Sequence, residues 1–175
     1  MTTVKNEPVV SVSRPGTVVA LIVLLVFLGI TALGGGIAMV FGVGGEVMLP
    51  EEWLDGMPLI DSWLLPGLVL GIGFGVGSLL VAYGIIRRTS WEWLGWIESR
   101  TGYHWSWAAA LAIGAAHIVW ILLELVLMPE ATWLQAVYGA VGVSLLVLPL
   151  LPSVRRYLAL PMGLSAEPKG SAGPR

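Results

Sequence analysis

Four long apolar stretches, Thr17–Val43, Trp63–Ile86, Trp105–Met128 and Ala131–Val154, take up most of this chain of 175 residues. A bilayer core of about 30 Å needs roughly 20 helical residues to cross it, whereas a barrel strand needs about half that with alternating polarity. Each stretch is long enough to span as a helix. Three carry no formal charge, and the third carries only Glu124. The hydrophobic share is 57% and the charged share 11%, against about 25% charged residues in soluble domains. The expected fold is therefore all-α, a membrane-embedded four-helix bundle. Residues 16–156 form the transmembrane domain, residues 1–15 a disordered N-terminus and residues 157–175 a disordered tail.

The charges are segregated. Lys5 and Arg14 precede the first stretch, Arg87, Arg88 and Arg100 lie between the second and third, and Arg155, Arg156, Lys169 and Arg175 follow the fourth. The other two connections hold Glu46, Glu51, Glu52, Asp55, Asp61 and Glu130 and no basic residue. Basic residues near span ends stay on the cytoplasmic side during insertion, so both termini are expected in the cytoplasm. Arg14, the apolar run behind it and the small residues Ala32, Gly34 and Gly36 imitate a cleavable signal. Apolarity continues to Val43, so an uncleaved helix is expected. No cysteine is present, which excludes disulfides, thiolate nucleophiles and cysteine-held metals.

Small residues recur every four positions in every span. The stripes are Gly34, Ala38 and Gly42 in the first, and Gly67, Gly71 and Gly75 in the second, with Gly73 and Gly77 beside it. The third carries Ala108, Ala112 and Ala116, and the fourth Ala136, Ala140 and Ser144. Such stripes let helix backbones approach closely, and they mark the expected helix contacts. The run Gly71–Ser78 imitates a phosphate loop, but Val76 occupies the third glycine position and no lysine follows.

Leu49–Gly56 carries the marks of a short amphipathic helix: Pro50 at its start, then Glu51, Glu52 and Asp55, with Gly56 at its end. Asp61 or Ser62 is expected to cap the second span. Pro129–Leu134 repeats Pro50–Leu54 with one residue inserted, as a duplicated helix pair or as two helices starting alike at one interface. The other connection, Thr89–Trp107, holds Trp91, Trp93, Trp96, Trp105 and Trp107. It is expected to form a short interfacial helix, the alternative being an aromatic cage for a cation.

Leu49–Pro58, continued by Leu64–Leu70 with its Pro66-Gly67-Leu68, resembles a pattern of uncharacterised small bacterial integral membrane proteins. There a glycine-rich first helix precedes a Pro-x-x-Trp-Leu loop. The resemblance covers about the first half of the chain. It implies a four-helix protein of the bacterial plasma membrane and brings no activity.

His117 and Glu124, both in the third span, are the residues of catalytic type inside a span. Seven positions apart, they share a face about 20° wide and lie about 10 Å apart along the helix. Buried ionisable groups in a membrane are costly, which makes this pair a candidate polar site. Its candidate partners are Tyr83, Gln135, Tyr138 and Ser144. With His104 as the other histidine, no zinc or haem site is expected from one chain. Glu51, Glu52, Asp55 and Asp61 lack the spacing of a calcium loop, and no cofactor is expected. No nucleophile–base pair is evident. The first expectation is a non-enzymatic structural or interaction component whose partners are the lipid bilayer and a further membrane protein or second copy, not nucleic acid. The alternative is a small transporter or proton-coupled component using His117 and Glu124. A polar cavity between the third and fourth spans would favour transport, and a filled core with a small-residue stripe facing lipid would favour interaction.

Overall fold

A computed structural model describes residues 14–44, 50–54, 61–128 and 132–160. Four helices in it are long and apolar enough to cross a membrane: α1 (Gly16–Phe41), α2 (Leu64–Arg87), α4 (Trp105–Leu127) and α5 (Trp133–Leu150). Two short helices, α3 (Gly95–Thr101) and α6 (Pro152–Leu158), lie between and after them. No strand occurs among the described residues. Glu46, Asp55, Gly56, Glu130 and the two chain ends fall outside them.

The spans run up and down in turn. α1 and α2 are antiparallel, Gly36 lying against Gly67 and Gly71, and Gly29 against Gly75. α4 returns along α2, with the Trp105 indole on Gly84, and α5 returns along α4, with Gly114 against Leu145 and Gly142 against Ile118. α5 closes the ring onto α1, where Tyr138 stacks on Phe27 at 5.9 Å. Every described arginine consequently falls at one end of the bundle. There the Arg14 guanidinium donates to the Ile86 carbonyl at 2.9 Å, and that of Arg88 donates to the Tyr157 carbonyl.

α1 meets α2 closely through Gly29 and Gly36, with Leu33 and Val40 on the same side, rather than through the expected stripe Gly34, Ala38 and Gly42. Gly34 and Gly42 have nothing near enough to touch an added Cβ, and neither has Gly73. The correction has a geometric cause. Three consecutive glycines offer three possible stripes, and the buried series Val18, Leu21, Leu25, Leu28 and Ala32 selects the one that continues its own face. On α2 the stripe Gly67, Gly71 and Gly75 is the one against α1. On α4 and α5 the close approaches belong to Gly114 and Gly142, while Ala112, Ala116, Ala136 and Ala140 are exposed.

Three local features depart from a regular four-span reading. Residues Val69–Val76 of α2 widen to a π-helix, just after Pro66 and through the alternate glycines. Neither Asp61 nor Ser62 caps α2; its N-cap is Trp63, without a side-chain hydrogen bond. The fourth span breaks at Leu151, whose backbone is extended (ψ 140°), and Pro152 opens α6. A residue before proline is pushed out of the helical region, so the Leu151–Pro152 pair ends α5. Order also runs past residue 157: the His104 amide donates to the Leu158 carbonyl at 2.9 Å and the Leu160 amide to Gly102 at 3.0 Å.

The Trp-rich connection is a folded plug across the basic end. Trp91 stacks between Trp93 and Trp105, with centroids 5.9 and 4.9 Å away, so these rings lie face to face rather than around a void. Trp93 and Trp96 remain exposed. In the acidic connection the described residues 50–54 contain a 3₁₀ turn, Glu51–Trp53, and the rest of the expected Leu49–Gly56 helix lies outside the described residues.

Candidate functional site

The second half of α2, from Gly77 to Arg87, packs against both α1 and α4. The first half leans on α1 and reaches α4 through the Phe74 ring, which meets His117 edge-on at 5.3 Å and Trp120 at 5.8 Å. Between α1, α4 and α5 this leaves a cavity of about 390 Å³, lined by Thr31, His117, Trp120, Glu124, Gln135 and Tyr138 among others. Trp53 of the 3₁₀ turn also lines it.

His117 is brought there by the α4 face that buries Ala110, Gly114 and Ile121. Its side chain is 2% exposed, yet neither ring nitrogen has a hydrogen-bond partner. The Tyr138 carbonyl faces the ring without hydrogen-bonding geometry, and the Tyr138 ring meets it edge-on at 6.0 Å. Gly142 makes room on the α5 side, since a Cβ there would lie 3.3 Å from the imidazole. An imidazole stripped of water and left unpaired is costly, because its donor and acceptor are both unmet. Structures keep such groups where a cavity lets a ligand or water complete them.

Glu124 sits two turns further along the same helix. One of its oxygens accepts the Trp120 indole N–H at 2.5 Å. That bond holds the carboxyl group along its own helix, and no donor among the described residues reaches its second oxygen. Gln135 is committed to the start of α5, where its Oε1 accepts from the Thr132 amide at 2.7 Å and hydroxyl at 2.6 Å. Of the other anticipated partners, Tyr83 is exposed on α2 and Ser144 donates to Ala140 of its own helix. Neither engages His117.

The residues that spacing alone did not single out are Trp120, Phe74 and Thr31. Trp120 lies four positions before Glu124, one turn away on the same face, and that spacing is a signal visible in the sequence. Phe74 and Thr31 carry no such sign, since their approach depends on how α1 and α2 dock. His104 belongs to another centre. It is buried at the basic end, where Nδ1 pairs with the Ser106 hydroxyl at 2.8 Å and Nε2 lies 3.1 Å from the Thr89 carbonyl. Among the described residues no three acidic or histidine side chains come together as a metal-binding group. No protein-family model matches this chain, and neither does any curated protein or solved structure.

Proposed function

We propose that this chain is a non-enzymatic, multi-pass protein of a bacterial plasma membrane that takes a small molecule into its acidic-end cavity, with His117 and Glu124 as the polar stations. The unpartnered, buried His117 in the cavity wall is the observation that carries this reading. A packing component would gain nothing from two orphaned nitrogens, since an apolar side chain of similar size would fill the site at lower cost. A binding site gains from them, because a ligand or proton completes the pair. The cavity residues present acceptors and donors without a nucleophile held by a base, which suits binding rather than bond breaking.

The protein reconstituted in liposomes is expected to carry solute or proton flux that Glu124→Gln abolishes, with wild-type elution and melting retained. Absence of any flux under proton and solute gradients overturns the carrier reading.

Both termini are assigned to the cytoplasm from the basic residues. The chain has no cysteine, so single substitutions report cleanly. Cysteine at Glu52 is expected to react with an impermeant maleimide in intact cells, and cysteine at Ser99 is not. The reverse pattern overturns the orientation.

A second reading, an interaction component, rests on the small residues Ala112 and Ala116 of α4 and Ala136 and Ala140 of α5, all turned away from the bundle. A second membrane helix or another copy of this chain fits such a surface. Disulfide cross-linking from cysteine at Ala116 tests it, and a solely monomeric product counts against self-association.

A further inference from the structure

The cavity has a second space beside it. A slot of about 170 Å³ lies between the acidic-end half of α2 and α4, walled by Trp63, Leu65, Pro66, Val69, Leu123 and Leu127. Slot and cavity share Met39, Trp120, Glu124 and Met128, so the hydrogen-bonded Trp120–Glu124 pair stands at their common boundary. The slot exists because this half of α2 leans on α1 and touches α4 mainly through Phe74. Leu65 and Val69 are themselves exposed on the lipid-facing side, so the slot is open sideways. A molecule filling both spaces is polar at one end and apolar at the other.

The sign of its polar end follows from the wall. Among the described residues the cavity wall holds the Glu124 carboxyl group, the His117 ring and the rings of Trp53, Trp120 and Tyr138, and no lysine or arginine. The described arginines are at the opposite end of the bundle, joined to the Ile86, Tyr157 and Tyr103 region. An anionic head would face Glu124 with no cation to offset it in a poorly screened site. A cationic head meets the carboxylate and the negative faces of aromatic rings, both attractive. Ammonium also brings several N–H donors, and the Glu124 carboxyl oxygens are acceptors for them.

We infer that this split site binds an amphipathic amine, its ammonium group in the cavity beside Glu124 and its hydrocarbon chain in the slot between α2 and α4, entered laterally from the lipid. The inference rests on the cavity being a binding site and names the class of ligand it takes. The ammonium itself favours the ionised form of Glu124 beside it, Trp120 orients that carboxyl group through its N–H, and the aromatic walls exclude water around the pair.

Three probes with one chain length separate the possibilities: decylamine, which is protonated at pH 7, 1-decanol and decanoate. Each is titrated by calorimetry into the full-length protein in phosphatidylcholine nanodiscs, with empty discs subtracted. Decylamine is expected to bind at least about tenfold more tightly than the other two. Glu124→Gln is expected to bring decylamine down to the affinity of decanol and to leave decanol unchanged. The wild-type comparison decides the matter even where that variant does not fold. Decanol binding as tightly as decylamine overturns the amine assignment and leaves the cavity a site for neutral molecules. Preference for decanoate overturns the charge argument. No binding by any probe overturns the inference, while flux in liposomes would still sustain the carrier reading.

Discussion

Gly36 shows how much a single hydrogen in place of a side chain decides here. A Cβ on it would lie 2.6 Å from the Gly67 carbonyl oxygen and from the Gly71 backbone, atoms that cannot swing aside. Gly71 is different, because its own Cβ would meet only the Gly36 Cα, at an ordinary 3.6 Å. Gly36→Ala is therefore expected to destabilise the protein in detergent by about 1–3 kcal/mol, the usual cost of forcing packed elements apart. Gly34→Ala on the open face should leave the melting midpoint unchanged. Equal effects of the two would mean that α1 is rotated about its axis. His104 makes a second residue-scale prediction. Burial holds its imidazole below the ordinary value near 6.5, against the raising pull of Glu98 and the Thr89 carbonyl. The folded state thus binds this proton less readily than the unfolded chain. Stability is intact above about pH 6.5 and falls as pH drops through the depressed value. The melting midpoint should decline from pH 7 to pH 5, and His104→Gln should flatten that decline. An unchanged slope in the variant would remove His104 from the account.

At the scale of elements, the ends of helices leave backbone groups that other parts of the chain must satisfy. α5 stops at Leu150, so the Pro149 carbonyl has no helical donor ahead of it, and the Trp107 indole N–H supplies one at 2.9 Å. Trp107→Phe keeps the ring and loses that bond, with an expected cost of about 1 kcal/mol. Trp93→Phe, at 71% exposure, should cost nothing measurable in detergent. Equal melting of the two variants would mean that the α5 terminus is satisfied in another way. The break at Leu151–Pro152 was open to view in the sequence, since proline restrains the residue before it. The widened turn of α2 was not. Alternating glycines are compatible with an α-helix or a π-helix, and docking against α1 selects between them.

Across the whole molecule, the two ends of the bundle are built from different contacts. The tryptophan plug, α6 and the backbone hydrogen bonds from His104 to Leu158 and from Leu160 to Gly102 tie the basic end. The acidic end is left with the cavity beside His117. Filling that cavity should remove ligand uptake without unfolding the bundle. Thr31 is suited to this, because its hydroxyl bonds the Phe27 carbonyl of its own helix at 2.9 Å and no other helix depends on it. Thr31→Phe is expected to abolish uptake in liposomes, whereas Ile30→Phe, on the exposed face of α1, is expected to leave it intact. Uptake surviving Thr31→Phe would place the pathway elsewhere.

The sequence by itself determined the number of spans, their approximate limits and the segregation of basic from acidic residues, because length, apolarity and charge are local quantities that a bilayer reads directly. It also placed His117 and Glu124 on one face, because α-helical geometry is periodic. Only the tertiary structure decided which glycine stripe of α1 meets α2, which potential partners stay away from His117, and that space remains beside it. Those outcomes depend on how four apolar surfaces fit together. In lipid, where every face is equally apolar, shape complementarity and not hydrophobic pattern makes that choice.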